Sequence, residues 1–117
     1  MPIYKVLRSR IADSSDPIKL VADEEVTCLE ESDANGDWPN WTLCKNASKE
    51  GWVPSQIIRR DGMHGVILED YDATEFSIEV GEVYISNKTL NGWIWGYREG
   101  RPNQLAWVPL NYVKLIE

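Results

Sequence analysis

The sequence predicts an all-β protein built from two small five-stranded barrels in tandem, and three observations lead there. The 117 residues repeat themselves, apolar side chains alternate with period two, and turn signals interrupt every stretch long enough to make a helix. The repeat is clearest where Gly51-Trp52-Val53-Pro54-Ser55-Gln56-Ile57-Ile58 returns as Ala106-Trp107-Val108-Pro109-Leu110-Asn111-Tyr112-Val113, an offset of 55 residues. Upstream, Ile18-Lys19-Leu20-Val21-Ala22-Asp23-Glu24-Glu25-Val26 matches Phe76-Ser77-Ile78-Glu79-Val80-Gly81-Glu82-Val83.

Taken in chain order, each copy reads as an apolar alternation, an acidic turn and a further strand. Period two puts Ile18 and Leu20, or Phe76 and Ile78, on one buried face. Gly81 suits a turn residue with positive φ, and Asp23 takes its place in the first copy at some cost. Asp16-Pro17, Asn35-Gly36, Asp61-Gly62, Asn91-Gly92 and Gly100-Arg101-Pro102 break the chain into short strands. The division expected from these signals is one barrel over 1–60, a second over 65–117, and a linker at 61–64, where apolar alternation lapses. So short a linker leaves little slack, and the two barrels are expected to pack closely.

Composition narrows the function. Twelve Lys and Arg against nineteen Asp and Glu give a net charge of −7, a field that repels phosphate backbones and anionic lipid and favours a basic partner. The acidity is uneven along the sequence, −2 over residues 1–60 and −5 over residues 61–117. Neither nucleic acid nor membrane is therefore expected as a partner, and since no apolar run reaches signal-peptide or membrane-span length, a cytoplasmic location is. Cys28 and Cys44 are too few for a disulfide framework and do not cluster with His64 at metal-ligand spacing; they read as reduced strand residues. No catalytic arrangement surrounds His64, and adjacent carboxylates such as Glu24-Glu25 and Glu30-Glu31 point to opposite faces of a strand. No enzyme activity, metal or cofactor is expected.

Ile67-Leu68-Glu69-Asp70-Tyr71-Asp72-Ala73, Glu75-Phe76-Ser77-Ile78-Glu79-Val80-Gly81-Glu82, Asn91-Gly92-Trp93-Ile94-Trp95-Gly96 and Trp107-Val108-Pro109-Leu110-Asn111-Tyr112-Val113 follow one another in the second half. In this order they resemble the opening, central, tryptophan-bearing and closing motifs of a Src-homology-3 (SH3) domain. The first half resembles a divergent, variant SH3-like domain through Asp16-Pro17-Ile18, Trp38-Pro39-Asn40-Trp41-Thr42-Leu43-Cys44 and Gly51 to Ile58. The resemblance implies a tandem of SH3-like five-stranded barrels and a protein-binding role, commonly the capture of an extended proline-rich peptide on an aromatic groove. Such a ligand arrives pre-ordered as a polyproline II helix, and flat rings offer it apolar area with few rotamers to freeze.

Carried onto this chain, the resemblance places a ligand groove in the second barrel: Tyr71, Trp93, Pro109 and Tyr112 as its walls, Asn111 as a hydrogen-bonding partner, and Asp72 and Glu75 as acids facing a basic ligand residue. Two features depart from the pattern. Glu69 replaces the first tyrosine of the opening motif, and the segment from Tyr71 to Gly81 is short. The first half departs further, with Arg8 and Arg10 where tyrosines are wanted and Ile57 in place of Tyr112, so that only Trp41 and Pro54 remain. Without the motif, Tyr71 and Tyr112 read as core residues with a wet hydroxyl. Six tryptophans against one phenylalanine suit surfaces that are half wet. Trp52 and Trp107 are expected to pack, Trp93 to face outward opposite the inward Ile94, and Trp95 to share its face.

The leading expectation is a non-catalytic module that binds a basic, proline-containing peptide. The rival is a structural or assembly protein whose aromatic surface is consumed by domain or subunit packing. A peptidoglycan-binding role would require export.

Overall fold

The computed structural model describes every residue except Met1 and Ser14. It contains β-strands and two short 3-10 turns and, among the described residues, no α-helix: β1 (Ile3–Val6), β2 (Lys19–Leu20), β3 (Glu25–Glu31), β4 (Trp41–Lys45), β5 (Glu50–Pro54), β6 (Ile58–Asp61), β7 (His64–Ile67), β8 (Tyr71–Asp72), β9 (Val83–Leu90), β10 (Trp93–Arg98), β11 (Leu105–Pro109) and β12 (Val113–Leu115). The 3-10 turns, Ser55–Ile57 and Leu110–Tyr112, follow Pro54 and Pro109 of the repeated motif. The all-β expectation holds, and with it the SH3-like barrel class.

The chain divides into two compact units, and the cut does not fall at residues 61–64. One unit is continuous, Asp16–Ala73; the other is discontinuous, Met1–Ser15 together with Thr74–Glu117. Their sheets have matching orders, β5-β4-β3-β7-β6 in the continuous unit and β11-β10-β9-β1-β12 in the discontinuous one. The expected linker is a hairpin instead: β6 turns into β7 with Asp61 opposite His64 and Gly62 at φ 62°.

The reason for the displaced boundary is an exchange of opening strands. β1 does not complete the sheet of the first repeat. It lies between β9 and β12 of the second, with Tyr4 opposite Tyr84 on one side and Leu115 on the other. Reciprocally, β7 lies between β3 and β6 of the first repeat, with Gly65 opposite Val26 and Arg60. The segment after Tyr71 is short because it is not a hairpin. Tyr71 pairs back to Leu20 in β2, while Glu75 bridges to Trp107 and Ile78 to Arg10 in the other unit. Within one chain this is the geometry of domain swapping, in which equivalent places are filled by exchanged elements.

Each unit has its own core. The continuous unit buries Ile18, Leu20, Val26, Cys28, Cys44, Val53, Ile57 and Ile67, with Tyr71 and Ala73 against them. The discontinuous unit buries Tyr4, Val6, Ile78, Tyr84, Ile94 and Val108, with Phe76, Leu110 and Tyr112 packed on the cluster. The incoming strands supply Ile67 to one core and Tyr4 and Val6 to the other, each buried side chain contributing about 1.5–3 kcal/mol of transfer free energy. The alternation legible in the sequence is obeyed: Ile18, Leu20 and Ile78 point inward, and Phe76 is half-buried. Asp23 sits at φ 73° and Gly81 at φ 91°, the matched left-handed positions of the two turns. Asn91-Gly92, both at positive φ, close the β9–β10 hairpin between Leu90 and Trp93, as a two-residue turn of primed type requires.

Cys28 and Cys44 face each other across β3 and β4, both buried and both free thiols. Burial first, and then the neighbouring Cys28, push the Cys44 thiol from its ordinary value of 9.0 up to about 12. A thiol that ionises later folded than unfolded contributes stability in full below about pH 9 and loses it as the pH rises toward 12. A pH series of denaturant melts from 8 to 11 is therefore expected to show falling stability, with a slope up to about 1.4 kcal/mol per pH unit for one such group. Cys44→Ala should flatten that slope; an unchanged slope in the variant would contradict the assignment. A polypeptide of residues 16–73 carries a full sheet and its core, so it should give a dispersed NMR spectrum and unfold cooperatively. Residues 1–60, which lack β7 and Ile67, should not; a folded 1–60 beside an unstructured 16–73 would reverse the division described above.

Candidate functional site

The exchange of strands decides where the expected groove residues stand. Glu75, Trp93, Pro109, Asn111 and Tyr112 belong to the discontinuous unit, whereas Tyr71 and Asp72 belong to the continuous one. The expected single groove is thus split between two units, because the strand that carries Tyr71 leaves the barrel that carries Trp93.

In the discontinuous unit the places opposite Trp93 and Tyr112 are taken by the segment that follows β1. Its course is fixed by reciprocal backbone hydrogen bonds between Arg10 and Ile78, 2.9 and 2.8 Å. The Arg8 guanidinium lies 4.2 Å from the Tyr112 ring centroid, and its Nη2 donates to the Asn111 carbonyl at 2.9 Å. The Arg10 guanidinium lies 5.2 Å from the Trp93 ring. Its Nη1 donates to Glu75 at 2.7 Å and its Nη2 to Asp13 at 3.0 Å, with the arginine side chain only 9% exposed. These stacked and ion-paired geometries suit the flat guanidinium, which combines cation–π attraction with a fixed fork of donors.

Trp93 does not face outward. It is 6% exposed, Pro109 opposite it in the β10–β11 pair is fully buried, and Ile94 is buried as expected. Trp93 begins β10 directly after the Asn91-Gly92 turn, with the Arg10 guanidinium over its ring. Trp95 is half-buried against Trp107, with ring centroids 5.1 Å apart. Trp107 packs as expected, whereas Trp52 is 38% exposed.

In the continuous unit, Tyr71 is half-buried, packs on the core and donates its hydroxyl to the Trp52 carbonyl at 2.9 Å. Trp41 stands opposite Pro54 at the β4–β5 edge and is 5% exposed. Glu69 and Asp70 are exposed beside Tyr71, and Asp70 accepts a hydrogen bond from the Ala22 backbone at 2.9 Å. The charge follows the units more sharply than it follows the two halves of the sequence. The continuous unit holds 5 basic and 13 acidic side chains, net −8, while the discontinuous one holds 7 and 6, net +1. Moving residues 1–15 out of the first repeat takes Lys5, Arg8 and Arg10 with them.

Among the described residues no cluster of His, Cys, Asp or Glu has the geometry to hold a metal ion. Nor is any helix long and apolar enough to cross a membrane.

Residues 3–61 match the family model described as a variant SH3 domain. The chain belongs to the variant SH3 domain family. No curated protein matches the sequence. SH3-type domains are non-catalytic binding modules with protein or peptide partners, and the family points to a protein-interaction module. The match to the SH3 model runs continuously through β1 to β6, so it covers a unit of sequence and not a unit of structure: β1 folds into one barrel and β2 to β6 into the other. Sequence reasoning did not place Arg8 and Arg10 over the rings of Tyr112 and Trp93. The two arginines stand where the opening motif has tyrosines, and their role emerges once β1 is seen beside the second repeat.

Arg10→Ala should leave Glu75 without its partner at 2.7 Å and open one face of Trp93. A loss of about 1.5–3 kcal/mol, as for hydrogen bonds to charged groups, with a red-shifted tryptophan emission is expected; unchanged emission would show that Arg10 does not shield the indole.

Proposed function

We propose that this variant SH3 protein binds an extended, basic, proline-containing peptide, and that the face carrying Tyr71 on the continuous unit takes it. The observation that carries this reading is the segregation of charge. The unit that holds Tyr71 has 13 acidic against 5 basic side chains, with Glu69, Asp70 and Asp72 adjoining that tyrosine. A cationic peptide is steered to such a field, and the on-rate falls with added salt. Tyr71, half-buried, and Trp52, 38% exposed and bonded to it through its carbonyl, supply the aromatic surface, drawn from both repeats. The second repeat, over 65–117, is read as a further SH3-like domain because the sheet that holds its β9 to β12 has the same strand order as the sheet that holds β3 to β6 of the first.

An assembly role without peptide capture is the second reading, and one observation favours it. Arg8 and Arg10 lie on Tyr112 and Trp93, so the aromatic surface of the discontinuous unit is already engaged by the chain's own side chains.

The experiment is an NMR titration of the whole protein with proline-rich peptides, with and without arginine, followed at backbone amides and the six indole N–H signals. Saturating shifts around Tyr71 and Glu69, weakened about tenfold by Glu69→Lys, support the peptide reading; tenfold corresponds to about 1.4 kcal/mol. Shifts confined to Trp93 and Tyr112 would move the site to the other unit. No shifts at millimolar peptide would leave the assembly reading.

A further inference from the structure

β1 and β7 hold equivalent places in the two units, each between the strand that leads the hairpin stack and the closing strand. Residue for residue, Tyr4 of β1 corresponds to Gly65 of β7, since Tyr4 is opposite Tyr84 and Gly65 opposite Val26 in the matching strands β9 and β3. The two residues are extremes of size, and neither fits the other's barrel. A Cβ built on Gly65 would come within 2.8 Å of an Ile58 methyl, 2.9 Å of the Cys28 sulfur and 3.3 Å of a Val26 methyl. A tyrosine ring at that place has nowhere to go without displacing a closed core. In the discontinuous unit the same place holds the Tyr4 ring, 7% exposed, within the cluster of Val6, Ile78, Tyr84, Ile94 and Val108. A glycine there would leave a hole the size of the ring, and such holes collapse only in part.

A second contact also separates the two pairings. Glu75 lies three residues before Ile78, the backbone partner of Arg10; the corresponding residue of the continuous unit, three before Leu20, is Pro17. Arg10 carried into that barrel would lose the carboxylate that now accepts its Nη1 hydrogen bond.

We infer that Tyr4 and Gly65 form a steric code that decides which barrel each opening strand completes, and that through it Arg10, and not Tyr71, comes to stand over Trp93. The exchange is then a property encoded in two side chains, and the alternative in which each repeat closes on its own opening strand is excluded by size. The code concerns strand pairing and stands whether or not any peptide binds.

The test is a double-mutant cycle on the full chain with Tyr4→Gly, Gly65→Tyr and both together. Residues 4 and 65 lie in the cores of different units. As long as the strands stay exchanged, their effects on the folding constant should multiply, as for independent sites. Each single substitution is expected to lower that constant about 100-fold or more. The double variant is expected to recover at least tenfold over the product of the two losses, because in-register pairing becomes open to it. Cross-strand amide NOEs give the second readout. The wild type is expected to join residue 4 to Tyr84 and residue 65 to Val26, and the double variant to join residue 4 to Val26 and residue 65 to Tyr84. A double variant that loses the full product or fails to fold overturns the inference, as does one that keeps the wild-type NOEs. A wild type whose residue 4 pairs with Val26 overturns it as well.

Discussion

The backbone pairing of β1 with β9 and β12, and of β7 with β3 and β6, is the constraint on which the rest of this protein depends. A five-stranded small barrel closes only when its opening strand is in place, because that strand joins the closing strand to the hairpin stack. Here each barrel obtains it from the other repeat. The pairing buries Tyr4 and Val6 in one core and Ile67 in the other. It also draws the following segments along, so that Arg8 and Arg10 enter one unit while Glu69 and Tyr71 enter the other. Core composition, charge distribution and the surroundings of Tyr71, Trp93 and Tyr112 follow from that single topological choice.

Charge is the clearest downstream effect. Exchanging two short segments of opposite character leaves one unit at net −8 and the other at +1. Long-range fields act on the folded surface and not on the order of residues, so a basic partner meets an acidic unit that does not coincide with either half of the sequence. The arginines that leave the acidic unit are not idle in the other. Their guanidinium groups lie over the rings of Tyr112 and Trp93, and Arg10 is fixed by two carboxylates. An aromatic face so occupied has less apolar area to offer a ligand, and the guanidinium must be displaced and resolvated before a ring can be used.

The cores are the main apolar burial available to two such small barrels. Each is near the size at which a single domain is marginal, and each has a cluster of aliphatic side chains at full burial, with cysteines or tyrosines filling the remainder. In the discontinuous unit Arg98 continues that packing outward: it donates to the Tyr84 hydroxyl at 3.0 Å and pairs with Glu82 at 3.2 Å. Burial raises the Tyr84 phenol above its usual range, with the Arg98 hydrogen bond opposing it. The continuous unit has no such polar anchor at its matching place, where Val26 faces the bare backbone of Gly65.

Much of this was legible in the sequence alone, for a local reason. Period-two alternation set the inward faces of Ile18, Leu20 and Ile78, the left-handed turns at Asp23 and Gly81 followed from short-range sterics, and Asn91-Gly92 marked a turn between strands, since each depends only on residues adjacent in the chain. The first-half motifs, from Asp16-Pro17-Ile18 to Gly51 through Ile58, lie within the family match. What tertiary structure alone decided was partnership. Tyr71, Trp93, Pro109 and Tyr112 read as one set because their motifs are consecutive, yet a strand's pairing partner is chosen by the fit of its side chains into a core assembled from distant segments. Gly65 is a single small residue in the sequence; only beside Val26, Cys28 and Ile58 does it become the reason that the opening strands change places.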